Sequence, residues 1–356
     1  MKVIELKEFS LDDTVIKAWQ IGRFGLDALE QVERLVPEPG PHDLLVRIGA
    51  ASLNYRDRRV LDGTFIPDLK LPFVPASDGA GEVVAIGSEV GRFRVGDRVI
   101  GTYIPNWIHG DGRGPEGDYI SRGGPLEGVL AQYVLFDEEA AVLTPSYLSD
   151  REASTLPIAA VTAWVALFDH GHLRPGDTVL VEGTGGVSIF ALQLAVAAGA
   201  RVIATSSSDE KLARAKALGA SDGINYARVP EWHQQVLELT AGRGADCILE
   251  VVGGDNVQRA AKALARNGHL ALIGLIDGFT LTVDIVPLLE QRRTIRGVLV
   301  GSRRNFEDLN RALETIRLRP VIDRVYPFDA ARAAFEHLTR GAFGKIVIEM
   351  TEGGAA

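Results

Sequence analysis

The sequence predicts an α/β chain in which a doubly wound parallel sheet is joined to a mostly antiparallel β region. Three observations predict it. From about Ser149 onward, continuous apolar runs alternate with helical patterns, which is how strands covered on both faces read in sequence. One of those runs, Thr178–Val181, enters a glycine turn that opens a helix. Before Ser149 the texture is different, with short β-rich runs punctuated by Gly and Pro.

Size and charge agree with that division. A chain of 356 residues is long enough for two domains, each burying its own core. Its 46% hydrophobic and 24% charged residues are those of a globular protein, not a disordered one. A formal charge of −9 argues against nucleic acid or an anionic membrane as a general partner, since both select basic surfaces. A small-molecule substrate is the partner expected. Cys247 is the only cysteine, which rules out an internal disulfide or a zinc held by several thiolates and suits a cytoplasmic protein. Residues 1–9 alternate apolar and charged residues, so no targeting signal is expected, and no apolar stretch reaches membrane-spanning length.

In the first region the predicted strands are 43–48, 81–86, 97–100 and 131–135. Between them, 104–128 carries seven glycines and three prolines and reads as a long surface loop, in which Trp107 and Tyr119 could form a pocket lid. Ser149 with Glu152 makes a capping box ahead of an apolar helix reaching 167. Strand Thr178–Val181, helix 187–198, strand 201–204, helix 209–218 and strands 247–251 and 269–275 then form a βαβαβ series. One more strand at 297–300, two amphipathic helices and a final strand Lys345–Glu349 complete the chain.

The turn after Val181 carries the clearest chemistry. Gly183, Gly185 and Gly186 remove side chains so that backbone can approach a pyrophosphate, whose charge then sits at a helix N-terminus. Placed between a strand and a helix inside a βαβ unit, this is the dinucleotide turn of a Rossmann domain. An NAD-specific domain places an acid at the end of its second strand. Here that strand ends Ala204-Thr-Ser-Ser-Ser208, with no acid before Asp209. Ser206, Lys211 one helical turn on, and Tyr226 suit a 2′-phosphate, so NADP (NADPH) is the expected cofactor. The plain alternatives are a solvated first-turn lysine at 211 and a partly buried strand-end aromatic at 226.

Four stretches together carry a family resemblance over essentially the whole chain: Gly79-Ala-Gly-Glu-Val-Val-Ala-Ile-Gly87 with Gly96-Asp-Arg-Val99; Thr162-Ala-Trp164; Pro175-Gly-Asp-Thr-Val-Leu-Val181 with Gly183-Thr-Gly-Gly-Val187; and Gly344-Lys-Ile-Val-Ile348. The sequence resembles the medium-chain dehydrogenase/reductase superfamily. The resemblance implies a GroES-like, mostly antiparallel β catalytic domain in two parts, 1–148 and 303–356, a Rossmann domain at 149–302, and an active site in the cleft between them. It also implies dimerisation through the strand at 297–300, with the apolar 281–289 stretch beside it, so a homodimer is expected. The positions that bind catalytic zinc in the alcohol dehydrogenases of this superfamily match Asn54, Ser77-Asp78 and Ile158 here, a set that cannot supply three good ligands.

Without a Lewis acid, reducing a conjugated acceptor is easier than oxidising a simple alcohol. The chain therefore looks like the zinc-free quinone and enoyl reductase branch, and Ser52-Leu-Asn-Tyr-Arg-Asp57 is similar to a stretch of the acrylyl-CoA reductase-like members. By this resemblance Asn54 and Tyr55 face substrate, where they could hydrogen-bond a carbonyl oxygen as enolate charge develops, and Tyr55 could pass a proton. The bland reading has Tyr55 packing under the cofactor and water giving the proton. Thr162 and Val187 would meet the nicotinamide end, with Leu275 and the 300–303 stretch flanking it. Val300 would line that flank, and Arg303 would reach a cofactor phosphate or an acidic substrate. Lys345 reads as a structural residue leading into the last strand. An alcohol or aldehyde dehydrogenase and a non-catalytic NADPH-binding protein are the alternative functions.

Overall fold

The computed structural model describes residues 14–110 and 120–350; the stretch 1–9 and Tyr119 discussed above lie outside them. Two large sheets organise most of these residues, beside a two-stranded antiparallel sheet of Val15–Ile21 and Leu29–Leu35. The six-stranded sheet is wholly parallel and runs in the order Asp222–Asn225, Arg201–Ser206, Thr178–Val181, Ala245–Glu250, Leu264–Leu272, Thr294–Gly297. Chain order reverses between Thr178–Val181 and Ala245–Glu250. A crevice opens outside the carboxyl ends of strands at such a switch point, and there a doubly wound sheet binds its ligand.

Strand alternation builds the two faces of this sheet. Leu180, Ile203, Ile248 and Leu270 pack on one side with Trp232, Val236 and Ala260. Val179, Val181, Val202 and Leu249 point the other way, against Phe190, Leu194 and Val161. The helix Gly186–Ala197 is apolar nearly all round because it is enclosed on most of its surface. Helix Arg303–Ile316 adds Phe306, Leu309 and Leu313 to the same cluster.

The seven-stranded sheet is antiparallel except where Ile322–Pro327 pairs with Lys345–Glu349. Its register brings distant residues together. Ser52 pairs with Asp78 on the strand Asp78–Ile86, and Leu53 pairs with Ile346 on the last strand. Asp78 and Lys345 therefore both arrive beside Asn54. The last strand also ties the sheets together, because Gly344 bridges Gly185 and its amide donates to the Thr184 carbonyl at 2.9 Å.

Several elements depart from the sequence reading. The strand placed at 297–300 is Thr294–Gly297, and Val298 and Val300 bury into the core beyond its end. The polar edge strand pairs with His269–Leu272 on one side only, so its sequence lacks the apolar run that suggested a strand three residues later. The strand placed at 269–275 ends at Leu272. The capping box is present, with the Ser149 hydroxyl and Glu152 each serving the other's backbone amide. The helix behind it, however, widens into π-turns at Leu156–Ala160 and Val165–His170, with Val161–Trp164 between them. Asn54 is followed by a helix, Tyr55–Leu61, which Asn54 and Asp57 cap reciprocally.

His269 gives this fold a pH dependence. Its ring is buried, its Nε2 has no hydrogen-bond partner, and the His170 ring lies edge-on with centroids 6.2 Å apart. Burial first, then His170, Arg296 and His172, push its pKa down to about 4. A depressed histidine pKa means the unfolded chain binds the proton more readily, so this contribution to stability is complete above about 6.5 and is lost as pH falls toward 4. The variant His269→Leu should lose less of its Tm than the parent between pH 7.5 and pH 5. Equal losses in thermal scans would show that His269 does not set acid sensitivity.

Candidate active site

A cleft of about 930 Å³ opens between the sheets. Its floor is the switch point of the parallel sheet. Gly183 sits at φ +69°, and a Cβ at Gly183 or at Gly185 would meet no atom within 4 Å, so the turn presents bare backbone to open space. Gly186 has a different reason to be glycine. A Cβ there would fall 2.8 Å from the Lys345 Cδ, so the lysine stem lies against the first turn of the helix.

The cleft brings together most of the residues singled out from sequence. Thr162, Val187 and the three turn glycines line its centre. Ser206, Lys211 and Tyr226 line one end with Ser207 and Arg340. Asn54, Tyr55 and Leu275 line the other with Arg56, Phe65 and Tyr103. Thr162 is buried and its hydroxyl has no hydrogen-bond partner, a polar atom left for a ligand.

Two residues singled out from sequence are placed elsewhere. Val300 is buried in the core and does not line the cleft. Arg303 opens the helix Arg303–Ile316, where Glu139 and Glu307 take its guanidinium and the Trp107 carbonyl accepts its amide. A glycine before a polar helix start reads in sequence like a ligand loop. Here the two carboxylates, not a phosphate, are the arginine's partners.

At the substrate end, Lys345, Asn54 and Asp78 form one buried group. The Lys345 ammonium donates to the Asn54 Oδ1 at 2.6 Å and to the Asp78 Oδ2 at 3.4 Å, and the Asn54 Nδ2 donates to that same carboxylate oxygen at 2.8 Å. Lys345 is 2% exposed and Asp78 is fully enclosed. Burial pushes the Asp78 carboxyl up to about 6 against the pull of Lys345 and Asn54, and burial lowers the Lys345 ammonium. Sequence reading treated Lys345 as a strand leader because its partners lie 291 and 267 residues away.

Around this group the polar wall is already committed. Arg56 donates to the Ser77 hydroxyl and to the Arg122, Gly123 and Gly124 carbonyls, and Ser77 donates to Asp57 at 2.6 Å. Tyr55 is 45% exposed, with its hydroxyl 3.4 Å from an Arg59 nitrogen, so the phenol sits at the rim and not at the buried group.

Under the glycine turn lies a second group that sequence reading missed. Asn256 Nδ2 donates to Glu182 at 2.9 Å and to Glu250 at 3.0 Å, holding two buried carboxyls together. Burial, then Glu250, raises Glu182 well above the usual carboxylate range. The Val252 and Gly253 amides donate to the Glu250 carboxylate.

The alcohol dehydrogenase GroES-like domain profile matches residues 40–146 and the zinc-binding dehydrogenase profile matches 186–316. A zinc-type alcohol dehydrogenase-like protein of Schizosaccharomyces pombe is 41% identical over 336 residues, 92% of this chain and 96% of its own. The chain belongs to the medium-chain dehydrogenase/reductase superfamily. A provisionally named alcohol dehydrogenase from Sinorhizobium meliloti superposes with a TM-score of 0.89 at 47% identity, covering 94% of this chain and 99% of its own. A crystal structure named as an NAD-dependent alcohol dehydrogenase gives 0.83 at 34%, covering 94% and 100%. Quinone oxidoreductase names occur among the relatives as well. The protein is thus an oxidoreductase of this superfamily, whose fold binds a nicotinamide cofactor. Among the described residues no helix is long and apolar enough to cross a membrane.

Proposed function

We propose that this protein is a zinc-independent, cytoplasmic oxidoreductase that reduces a quinone, an enone or a related activated carbonyl compound with NADPH. The observation that carries this reading is the donor set at the superfamily's metal position. Asn54 and Asp78 there are bonded to each other and to an ammonium, and Ile158 has no donor. A divalent cation would face the Lys345 charge at close range with one carboxylate to hold it. Among the described residues no three His, Cys, Asp or Glu side chains are placed to bind a metal. These residues do not fit zinc.

They do fit a dinucleotide. The bare turn at Gly183 and Gly185 would take the pyrophosphate at the N-terminus of Gly186–Ala197, and Thr162 with Val187 would hold the nicotinamide end. Lys211 and Arg340, with the Ser206 and Ser207 hydroxyls, would take the adenosine 2′-phosphate. The nearest acid, Asp209, is paired with Arg228 and Asn225 and leaves no carboxylate for a free ribose hydroxyl. When bound, NADPH supplies the hydride. The chain's own part is to fix the acceptor in the cleft, where Asn54 retains one amide hydrogen for its carbonyl oxygen. On this reading residues 1–148 and 303–356 make the catalytic domain and 149–302 the cofactor domain. A homodimer would cover the exposed Ile285, Val286 and Leu289 beside the edge strand Thr294–Gly297.

The test is turnover by the purified protein. NADPH oxidation should accelerate with 1,4-benzoquinone or an enone, survive chelation, and come from protein without stoichiometric zinc. Bound zinc with chelator-sensitive alcohol oxidation would transfer the protein to the alcohol dehydrogenases, and tight NADPH binding without any turnover would mark a non-catalytic binder. Sedimentation of the same preparation as a monomer would reject the dimer.

A further inference from the structure

Resting on the zinc-free reductase reading above, we propose that Lys345 is a catalytic residue that takes the metal's role, its ammonium serving as the electrophile for the acceptor's carbonyl oxygen. The geometry supplies each requirement. The ammonium lies where the superfamily's metal-binding positions converge, bonded to Asn54 and Asp78, and its side chain lines the cleft. It has three N–H groups. Two are directed to Asn54 and Asp78, and one is left for a ligand. Its stem packs against the bare backbone of Gly186, in the space a Cβ there would take.

A purely structural lysine would be an expensive choice here. Burying an ammonium and a carboxylate often stabilises a fold less than burying two apolar side chains of the same volume, so stability alone does not account for the pair. Arg56 and Arg59 do not replace it, since the first is spent on Ser77 and three carbonyls and the second sits with Tyr55 at the rim. Asp78 then has a definite task, which is to keep the lysine protonated and aimed. Asp57, one helical turn from Asn54, adds a second negative charge that favours the ammonium.

The step balances without any further reagent. The hydride pair moves from the reduced nicotinamide to the β-carbon of the acceptor, the C=C pair shifts toward the carbonyl, and the oxygen becomes anionic. Lys345 donates a hydrogen bond to that oxygen without giving up its proton. Water then protonates the α-carbon to complete the saturated ketone; for a quinone, water protonates the enolate oxygen, and the proton of the new C–H bond is lost to water as the remaining carbonyl oxygen takes one up, which gives the hydroquinone. Preorganised donors of this kind in a water-poor site account for large rate effects.

The experiment compares the parent with Lys345→Ala, Lys345→Met and the charge-neutral pair Lys345→Met/Asp78→Asn, reading NADPH affinity, kcat and KM with 1,4-benzoquinone and methyl vinyl ketone. We expect kcat to fall about 10²-fold at saturating NADPH while NADPH affinity changes less than threefold. Methylammonium should restore at least tenfold of the lost rate to Lys345→Ala, and tetramethylammonium, which has charge but no N–H, should not. The neutral pair serves where the single variants do not fold, because it leaves no unpaired buried charge. The proposal is overturned if kcat stays within threefold of the parent, if the whole loss is in NADPH affinity, or if both ammonium ions rescue equally. A parent enzyme inactive on every acceptor would instead overturn the reductase reading on which the proposal rests.

Discussion

Replacing Gly274 by alanine should destabilise the protein by about 3–5 kcal/mol, the size of the worst overpacking and backbone-clash substitutions. Gly274 follows the strand Leu264–Leu272, and its amide and that of Ile273 both donate to the Glu250 carbonyl, at 3.1 and 2.9 Å. A Cβ on it would come within 2.5 Å of the Val251 Cα and closer still to the Val251 carbonyl. These are backbone atoms of the neighbouring strand end, which cannot rotate away. Relief requires the carboxyl ends of two central strands to separate, at the place where Gly253 holds φ +78° under the Glu250 carboxylate. Gly183→Ala is the useful contrast. Its Cβ meets nothing within 4 Å, so only the left-handed backbone is penalised, by about 1–2 kcal/mol. Denaturant unfolding of both variants measures the difference. A Gly274→Ala protein within about 1 kcal/mol of the parent would mean that the strand ends yield far more easily than close packing allows.

That contrast also shows what a sequence can and cannot reveal about this molecule. The turn at Gly183 was legible because its glycines, strand and helix are contiguous, and local rules act on contiguous residues. The same holds for Thr178–Val181 and the Ser149–Glu152 capping box. Lys345 was not legible as a site residue because its meaning comes from two antiparallel pairings, Leu53 with Ile346 and Ser52 with Asp78. Those pairings span most of the chain. Glu182 and Glu250 were invisible for the same reason, since each looks like an ordinary strand-end acid until Asn256 joins them. Arg303 failed in the opposite direction. Its local context suggested a ligand, and only the packed position of Glu139 shows the charge to be satisfied within the protein. The mispositioned strand at 297–300 has a simpler cause. Val298 and Val300 are apolar to fill the core, whereas the true edge strand beside them keeps Thr294 and Arg296 facing outward.

The cofactor end offers the other large effect. Removing both cations there, in Lys211→Ala/Arg340→Ala, should lower the preference for NADPH over NADH by about 10³-fold and leave kcat with NADH nearly unchanged. A hydrogen bond to a charged group contributes about 1.5–3 kcal/mol, so two such contacts to one phosphate correspond to that factor even after exposure has weakened the outer one. The two residues reach the site by different routes. Lys211 lies in the first turn of Asp209–Ala217, after the strand whose hydroxyls it joins, and its ammonium also donates to the Gly341 carbonyl at 3.0 Å. Arg340 ends the helix Ala331–Arg340 of the C-terminal part and lines the same cleft, one residue before Gly341, whose carbonyl accepts from Lys211. Each single variant should lose part of the preference, Lys211→Ala more than the exposed Arg340→Ala, and because both act on one phosphate the two losses need not add up to that of the double variant. Lys211→Ala should also loosen the tie to Gly341, which would appear as weaker binding of both dinucleotides on top of the selectivity change. Steady-state kcat/KM with each cofactor across the four proteins separates these contributions. A parent that prefers NADH, or a double variant that weakens both cofactors by the same factor, would show that Ser206, Lys211 and Arg340 do not form a 2′-phosphate site.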